Sequence, residues 1–248
     1  MRFLIATLAL SFSLCAIARA ERKVAIFIAD GFDFPVGKPD GDGYYKARGY
    51  TPHGHLGEDW NGRAGGDTDL GAPVYSIAHG IVVYANNFYH GWGNVVIVRH
   101  AYQEGGQMKF VDSLYGHLDK IQVRTGQQLK RGQQLGTIGT GGGIYPAHLH
   151  FEMRKDLRVG MARLSFPQDD SVYWSGTQFI TDHRKLSIPS ATVMAPIDTF
   201  SPVTGKMDPG EAIEPPGFTL PGAKLPPKPA PGAVPGRYDD LRKLLEKK

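Results

Sequence analysis

His55-Leu56-Gly57-Glu58-Asp59 places an imidazole and a carboxylate four residues apart. On a helix that spacing would put them on one face, but Gly54, Gly57 and Gly62 disfavour a helix. An extended segment also sends residues i and i+4 to one side. His148-Leu149-His150-Phe151-Glu152 has the period of a strand. Alternation turns His148, His150 and Glu152 to one face and Leu149 and Phe151 to the other, toward a core. Tyr115-Gly116-His117-Leu118 adds a histidine at the end of a strand-like run. A catalytic zinc needs three protein ligands and one open position. The one cysteine is Cys15, inside an expected export signal. The mature chain then has no thiol, which excludes disulfides, thiolate metal sites and cysteine-protease chemistry. Imidazole and carboxylate are suitable first ligands when thiols are missing.

The segments that must hold these residues read as short strands separated by turns. Val24 to Ile28 is strand-like, and the Gly- and Asp-rich stretch after it reads as loops. Pro73 opens a strand that runs to the turn at His79-Gly80, and Ile81 to Tyr84 follows. Gly91-Trp92-Gly93 and Glu104-Gly105-Gly106 mark turns around strands at Asn94 to His100 and Met108 to Tyr115. Thr125-Gly-Gln-Gln-Leu129 is echoed by Arg131-Gly-Gln-Gln-Leu135, read as tight turns that send Leu129 and Leu135 inward. Two units are too few for a solenoid. The fold class expected is all-β, built from an antiparallel sheet.

In order along the chain, His-x-Gly-x-Asp, Gly-Ala-Pro-Val, Tyr-Gly-His-Leu and His-Leu-His-Phe-Glu resemble the pattern of the M23, or lysostaphin-type, zinc metallopeptidases. The resemblance covers His55 to Arg154, including the glycine-spaced run from Val123 to Gly139. It implies an antiparallel β-sheet groove and one zinc ion per chain, with His55, Asp59 and His150 as its ligands. It implies His117 and His148 as catalytic residues that do not bind metal. One takes a proton from the attacking water, the other stabilises the oxyanion or protonates the leaving amine, and the sequence leaves open which does which. Glu152 is expected to orient a ligand. The activity implied is endopeptidase cleavage of stem peptides or cross-links in bacterial peptidoglycan, with D-alanyl cross-links as the first expectation. The alternative is a non-catalytic module of the same family that binds the wall or activates another wall hydrolase. Three positions depart from the pattern: Glu58 stands where an apolar residue is usual, the loop from Trp60 to Leu70 is longer, and Ala147 replaces a commoner proline.

Around this core the chain divides into three parts. Arg2, the uncharged apolar run Phe3 to Ile17 and Ala18-Arg19-Ala20 read as a signal peptide of residues 1–20, implying export to the periplasm or medium. The run is shorter than the ~20 residues that span a bilayer, so no stable anchor is expected after cleavage. Residues 21–184 are expected to be the peptidase domain, with the motifs in 53–154. Twelve of the 18 prolines lie between Pro189 and Pro235, so residues 185–248 read as an extended linker or tail. That tail is a place for a protein partner, and Tyr238 to Lys248 is a candidate short helix. Without Arg2 and Arg19 the chain carries 26 basic and 24 acidic side chains, too small an excess for a nucleic-acid partner. His53, His79, His90 and His183 are expected at surfaces or turns, and His100 in support of the site. Asn61, Asp67 and Asp69 fall short of a calcium loop and read as a polar loop. Trp60 and Trp92 are read either as substrate contacts or as packing.

Overall fold

Runs such as Val95-Val-Ile-Val98 are apolar at every position, which a strand tolerates only where both sheet faces are covered. The computed structural model describes residues 22–89, 91–187 and 191–204. The expected signal peptide, His90 and the expected helix at 238–248 lie outside those residues. In chain order the strands are β1 (Lys23–Phe27), β2 (Tyr44–Arg48), β3 (Glu58–Gly62), β4 (Pro73–Tyr75), β5 (Gly80–Tyr89), β6 (Gly93–Glu104) and β7 (Gln107–Leu118). Then come β8 (Lys120–Ile121), β9 (Gln128–Leu129), β10 (Gln134–Thr137), β11 (Leu149–Arg154) and β12 (Tyr173–Trp174). Helix α1 (Gly176–Asp182) and β13 (Thr192–Pro196) follow.

The main sheet runs β2-β3-β11-β7-β6-β5-β9, with β12 added beside β11, and all its pairings are antiparallel. Gly105 and Gly106, both at positive φ, close the β6–β7 hairpin between Glu104 and Gln107. Two consecutive positive φ values are what a two-residue type I′ turn needs. One face of the sheet packs Val96, Val98, Tyr115, Leu149 and Phe151 into the larger core. The other packs Trp92, Val95, Ile97 and Leu114. The all-β expectation therefore holds.

The glycine-spaced repeat is a repeat of structure too. In each copy a glutamine side chain accepts from the amide three residues earlier, Gln127 from Arg124 at 3.2 Å and Gln133 from Lys130 at 3.0 Å. Gly126 and Gly132 take positive φ in these turns, and Leu129 and Leu135 are buried as expected.

Four elements differ from the sequence reading. The stretch read as loops contains β2, which pairs with β3 and so edges the site. Helix α1 has no apolar periodicity long enough to announce it; Ser175 caps it and the buried Glu58 carboxylate binds its first turn. His183, expected at a surface or turn, is buried at the end of α1, stacked on Phe179 at 4.3 Å with Nε2 2.9 Å from Glu104. Beyond residue 184 the described chain stays in contact with the domain. β13 pairs with β1, Ala195 is buried, and the Arg99 guanidinium donates to the carbonyl of Pro196 and the hydroxyl of Thr199.

His100 is fully buried between the carbonyl of His79 and the hydroxyl of Ser113. Burial pushes its pKa down to about 4 from 6.5. Between those values the unfolded chain binds a proton that the native state refuses, so stability falls with acidification. From pH 6.5 to 4 the loss is about 3 kcal/mol, at ~1.4 kcal/mol per pKa unit. Denaturant titrations at several pH values should show this slope in the wild type and lose it in His100→Gln; parallel curves would refute the assignment.

Candidate metal centre and catalytic site

β3 and β11 are neighbours in register, with Asp59 opposite His150. Antiparallel partners point to the same side, so the two motifs meet on one face although they lie far apart in sequence. His55, in the turn before β3, completes the group. The Nε2 of His55 is 3.2 Å from Asp59 Oδ1 and 3.2 Å from His150 Nδ1, and His150 Nδ1 is 3.1 Å from the same carboxylate oxygen. All three residues are buried, and among the described residues they are the cluster that could hold a metal ion. Gly57 is required for space: a Cβ there would lie 2.6 Å from the His150 ring.

The partners of the outer ring nitrogens determine what the inner ones offer. His55 Nδ1 is 2.9 Å from the carbonyl of Gly49. A carbonyl only accepts, so Nδ1 carries the proton and Nε2 presents its lone pair. His150 Nε2 is 2.9 Å from Glu152 Oε1. Burial alone would raise the Glu152 carboxyl, but the Arg154 guanidinium, the contact with His150 and the charge of Arg163 hold it at about 2. The ionised carboxylate accepts from Nε2–H, which leaves the lone pair on His150 Nδ1. Two nitrogen lone pairs and a carboxylate oxygen therefore converge at 3.1–3.2 Å with no proton between the nitrogens. That arrangement is repulsive without a cation. Tetrahedral zinc with ligands at 2.0–2.1 Å spaces its donors by about 3.3 Å, so the residues present fit the ion.

His148 and His117 stand beside this group. Their ring centroids are 4.9 Å apart, and His117 is 5.5 Å from His150. His148 Nδ1 is 2.8 Å from the carbonyl of Pro146, which places its proton there and its lone pair on Nε2. That Nε2 has no hydrogen-bond partner among the described residues and lies 3.7 Å from Asp59 Oδ1. His117 Nδ1 is 3.3 Å from the carbonyl of Trp92. The His117 backbone has φ 60°, a left-handed conformation that costs a non-glycine residue roughly 1–3 kcal/mol and is found where the fold overrides local preference.

The structure thus brings together all five residues singled out from sequence, and Glu152 as their support. Sequence reasoning missed other contributors. Tyr145 packs its ring 4.8 Å from His117 and 5.8 Å from His148, on a glycine-rich loop with no periodicity to set the ring's direction. Arg154 is the fourth residue of the same strand face, and its Nε binds Glu152 at 2.6 Å. The strand period could have found it. Of the tryptophans, Trp92 is fully buried against His150 at 5.3 Å and Trp60 is buried beside Phe34, so both pack. Glu58, the departure beside Asp59, points away from the metal donors and ties β3 to α1.

Residues 54–161 match the profile of Peptidase family M23. The chain is 36% identical over 119 residues to the peptidoglycan DD-endopeptidase ShyA of Vibrio cholerae, covering 47% of this chain and 26% of that protein. It is 34% identical over 126 residues to the murein hydrolase activator EnvC of Escherichia coli, covering 48% of this chain and 28% of that protein. The chain therefore spans about a quarter of the length of these two relatives. It is 37% identical over 84 residues to the lipoprotein NlpD of Yersinia enterocolitica, covering 34% of this chain and 78% of that protein. With the motifs in order and most of a relative's length matched, the chain belongs to peptidase family M23.

Proposed function

We propose that the protein is a zinc-dependent endopeptidase that hydrolyses peptide cross-links of bacterial peptidoglycan. The observation that carries this reading is the convergence of His55 Nε2, Asp59 Oδ1 and His150 Nδ1, with the His148 lone pair aimed at the same space. Zinc held by these donors supplies Lewis acidity, polarising a peptide carbonyl and making water acidic enough to ionise near neutral pH. His148 accepts the proton of the attacking water at Nε2, because its Nδ1 proton is committed to Pro146. His117 faces the same space, held through Nδ1 by the carbonyl of Trp92, and in its doubly protonated form its Nε2–H is assigned to the developing oxyanion or the leaving amine. Glu152 and Arg154 keep His150 in the tautomer that ligation needs.

Export belongs to this reading, since the substrate lies outside the cytoplasm; the basic start, apolar run and small-residue site in residues 1–20 support it. No described helix is long and apolar enough to cross a membrane.

A second reading is a non-catalytic wall-hydrolase activator, favoured by the likeness to EnvC, which bears that name. Digestion of purified peptidoglycan with and without a chelator separates the two. Chelator-sensitive release of cut cross-links, identified by mass spectrometry, is the expected result. A zinc-loaded protein that releases nothing would overturn it in favour of the activator.

A further inference from the structure

The loop between β3 and β4 takes no part in the steps above, yet it reaches the site. We propose that Asn61 and Asp67 clamp the two peptide units that flank Ala147 and act as positioning residues for His148. The clamp's effect on turnover rests on the endopeptidase reading; its geometry does not.

Ala147 is fully buried. Its N–H donates to Asp67 Oδ1 at 2.7 Å, and its carbonyl accepts from Asn61 Nδ2 at 3.2 Å. The two bonds hold successive peptide planes, Pro146–Ala147 by its N–H and Ala147–His148 by its carbonyl, so the backbone entering His148 has little freedom left. The next residue is His148, whose own N–H donates to Gly139 at 3.2 Å. The direction of the imidazole follows from that backbone. Both anchors come from the chain just after Asp59: Asn61 is two residues on in β3 and shares its face. One short segment therefore sets the carboxylate ligand and the neighbouring histidine against each other.

Asp67 is itself exposed, but it is not carried on a loose arm. Asp69 Oδ2 accepts from Gly62 N at 2.8 Å and closes the loop at its base. Gly65 donates to Gly62 and Leu70 to Asp67, winding the loop into successive turns, and Gly71 donates to Ile138, tying its end to the chain after β10. These bonds occupy an oxygen of both aspartates with backbone amides, as a polar loop requires. The long loop and the alanine at 147 are then one feature. Proline there would present no N–H. Alanine presents one, it is buried, and it needs an acceptor, which Asp67 provides.

The test uses the zinc-loaded full chain. By NMR hydrogen exchange, Asp67→Ala should speed exchange of the Ala147 amide about tenfold or more while protection in β6 and β7 is kept. With a synthetic cross-linked stem peptide, kcat should fall roughly 10- to 100-fold with KM and zinc content unchanged, the scale on which supporting partners act. Asp67→Asn retains an acceptor oxygen and should restore both readouts. Asn61→Ala should reproduce the kinetic loss by freeing the second of the two peptide units, Ala147–His148. Unchanged Ala147 exchange in Asp67→Ala overturns the clamp. So does an Asp67→Asn variant as impaired as Asp67→Ala, which would make charge the cause. If the wild type cleaves nothing, the endopeptidase reading fails, and the exchange data still decide the clamp.

Discussion

His150→Ala should lose stoichiometric zinc and, with it, all peptide hydrolysis. The nitrogen removed is in contact with both other donors, at 3.2 Å from His55 and 3.1 Å from Asp59. Two ligands remain, which is below the three that hold a catalytic zinc. The loss of affinity should exceed the roughly 10- to 100-fold that removal of a supporting partner costs. The substitution also strips the fully buried Glu152 of one partner, but Arg154 still neutralises it at 2.6 Å, so the sheet should survive. Metal analysis of the purified variant, with circular dichroism to confirm the fold, is the check. A folded His150→Ala protein with one zinc per chain would refute the ligand assignment.

His148→Ala should keep zinc and lose turnover by about 10²- to 10⁴-fold, the range ascribed to a positioned general base. Its Nε2 is 3.7 Å from Asp59 Oδ1, outside the donor triangle but beside it. Removing it leaves the three ligands and their outer partners in place, so the loss should fall on kcat and not on metal content. His117→Ala should behave the same way. Full turnover in either variant would sink the role assigned to that histidine. Zinc loss in His148→Ala would instead make it a ligand.

Much of this site is legible in the order and spacing of its residues. The alternation in His148 to Glu152 is a local property of a strand, and it correctly sends two imidazoles and a carboxylate to one face with Leu149 and Phe151 behind them. Gly57 is legible as part of a motif, but its reason is a contact with His150, 93 residues later. The strands of the hairpins are legible because their turns are local, and they come out longer than their apolar runs because pairing extends a strand past its core residues. β2, α1 and β13 are not legible. Each owes its conformation to partners distant in the chain: β2 to β3, α1 to Glu58, and β13 to β1 and Arg99.

The tautomers of His117 and His148 belong to the same class. A tautomer depends on which group faces each ring nitrogen, and only the fold supplies the carbonyls of Pro146 and Trp92 to the two Nδ1 atoms. By itself the sequence determined the residue types, their order and the face each presents along its own strand, since all three follow from short-range geometry. The tertiary structure alone decided the register that sets Asp59 opposite His150 and the hold of Asp67 on Ala147. Those are contacts between segments that only folding brings together.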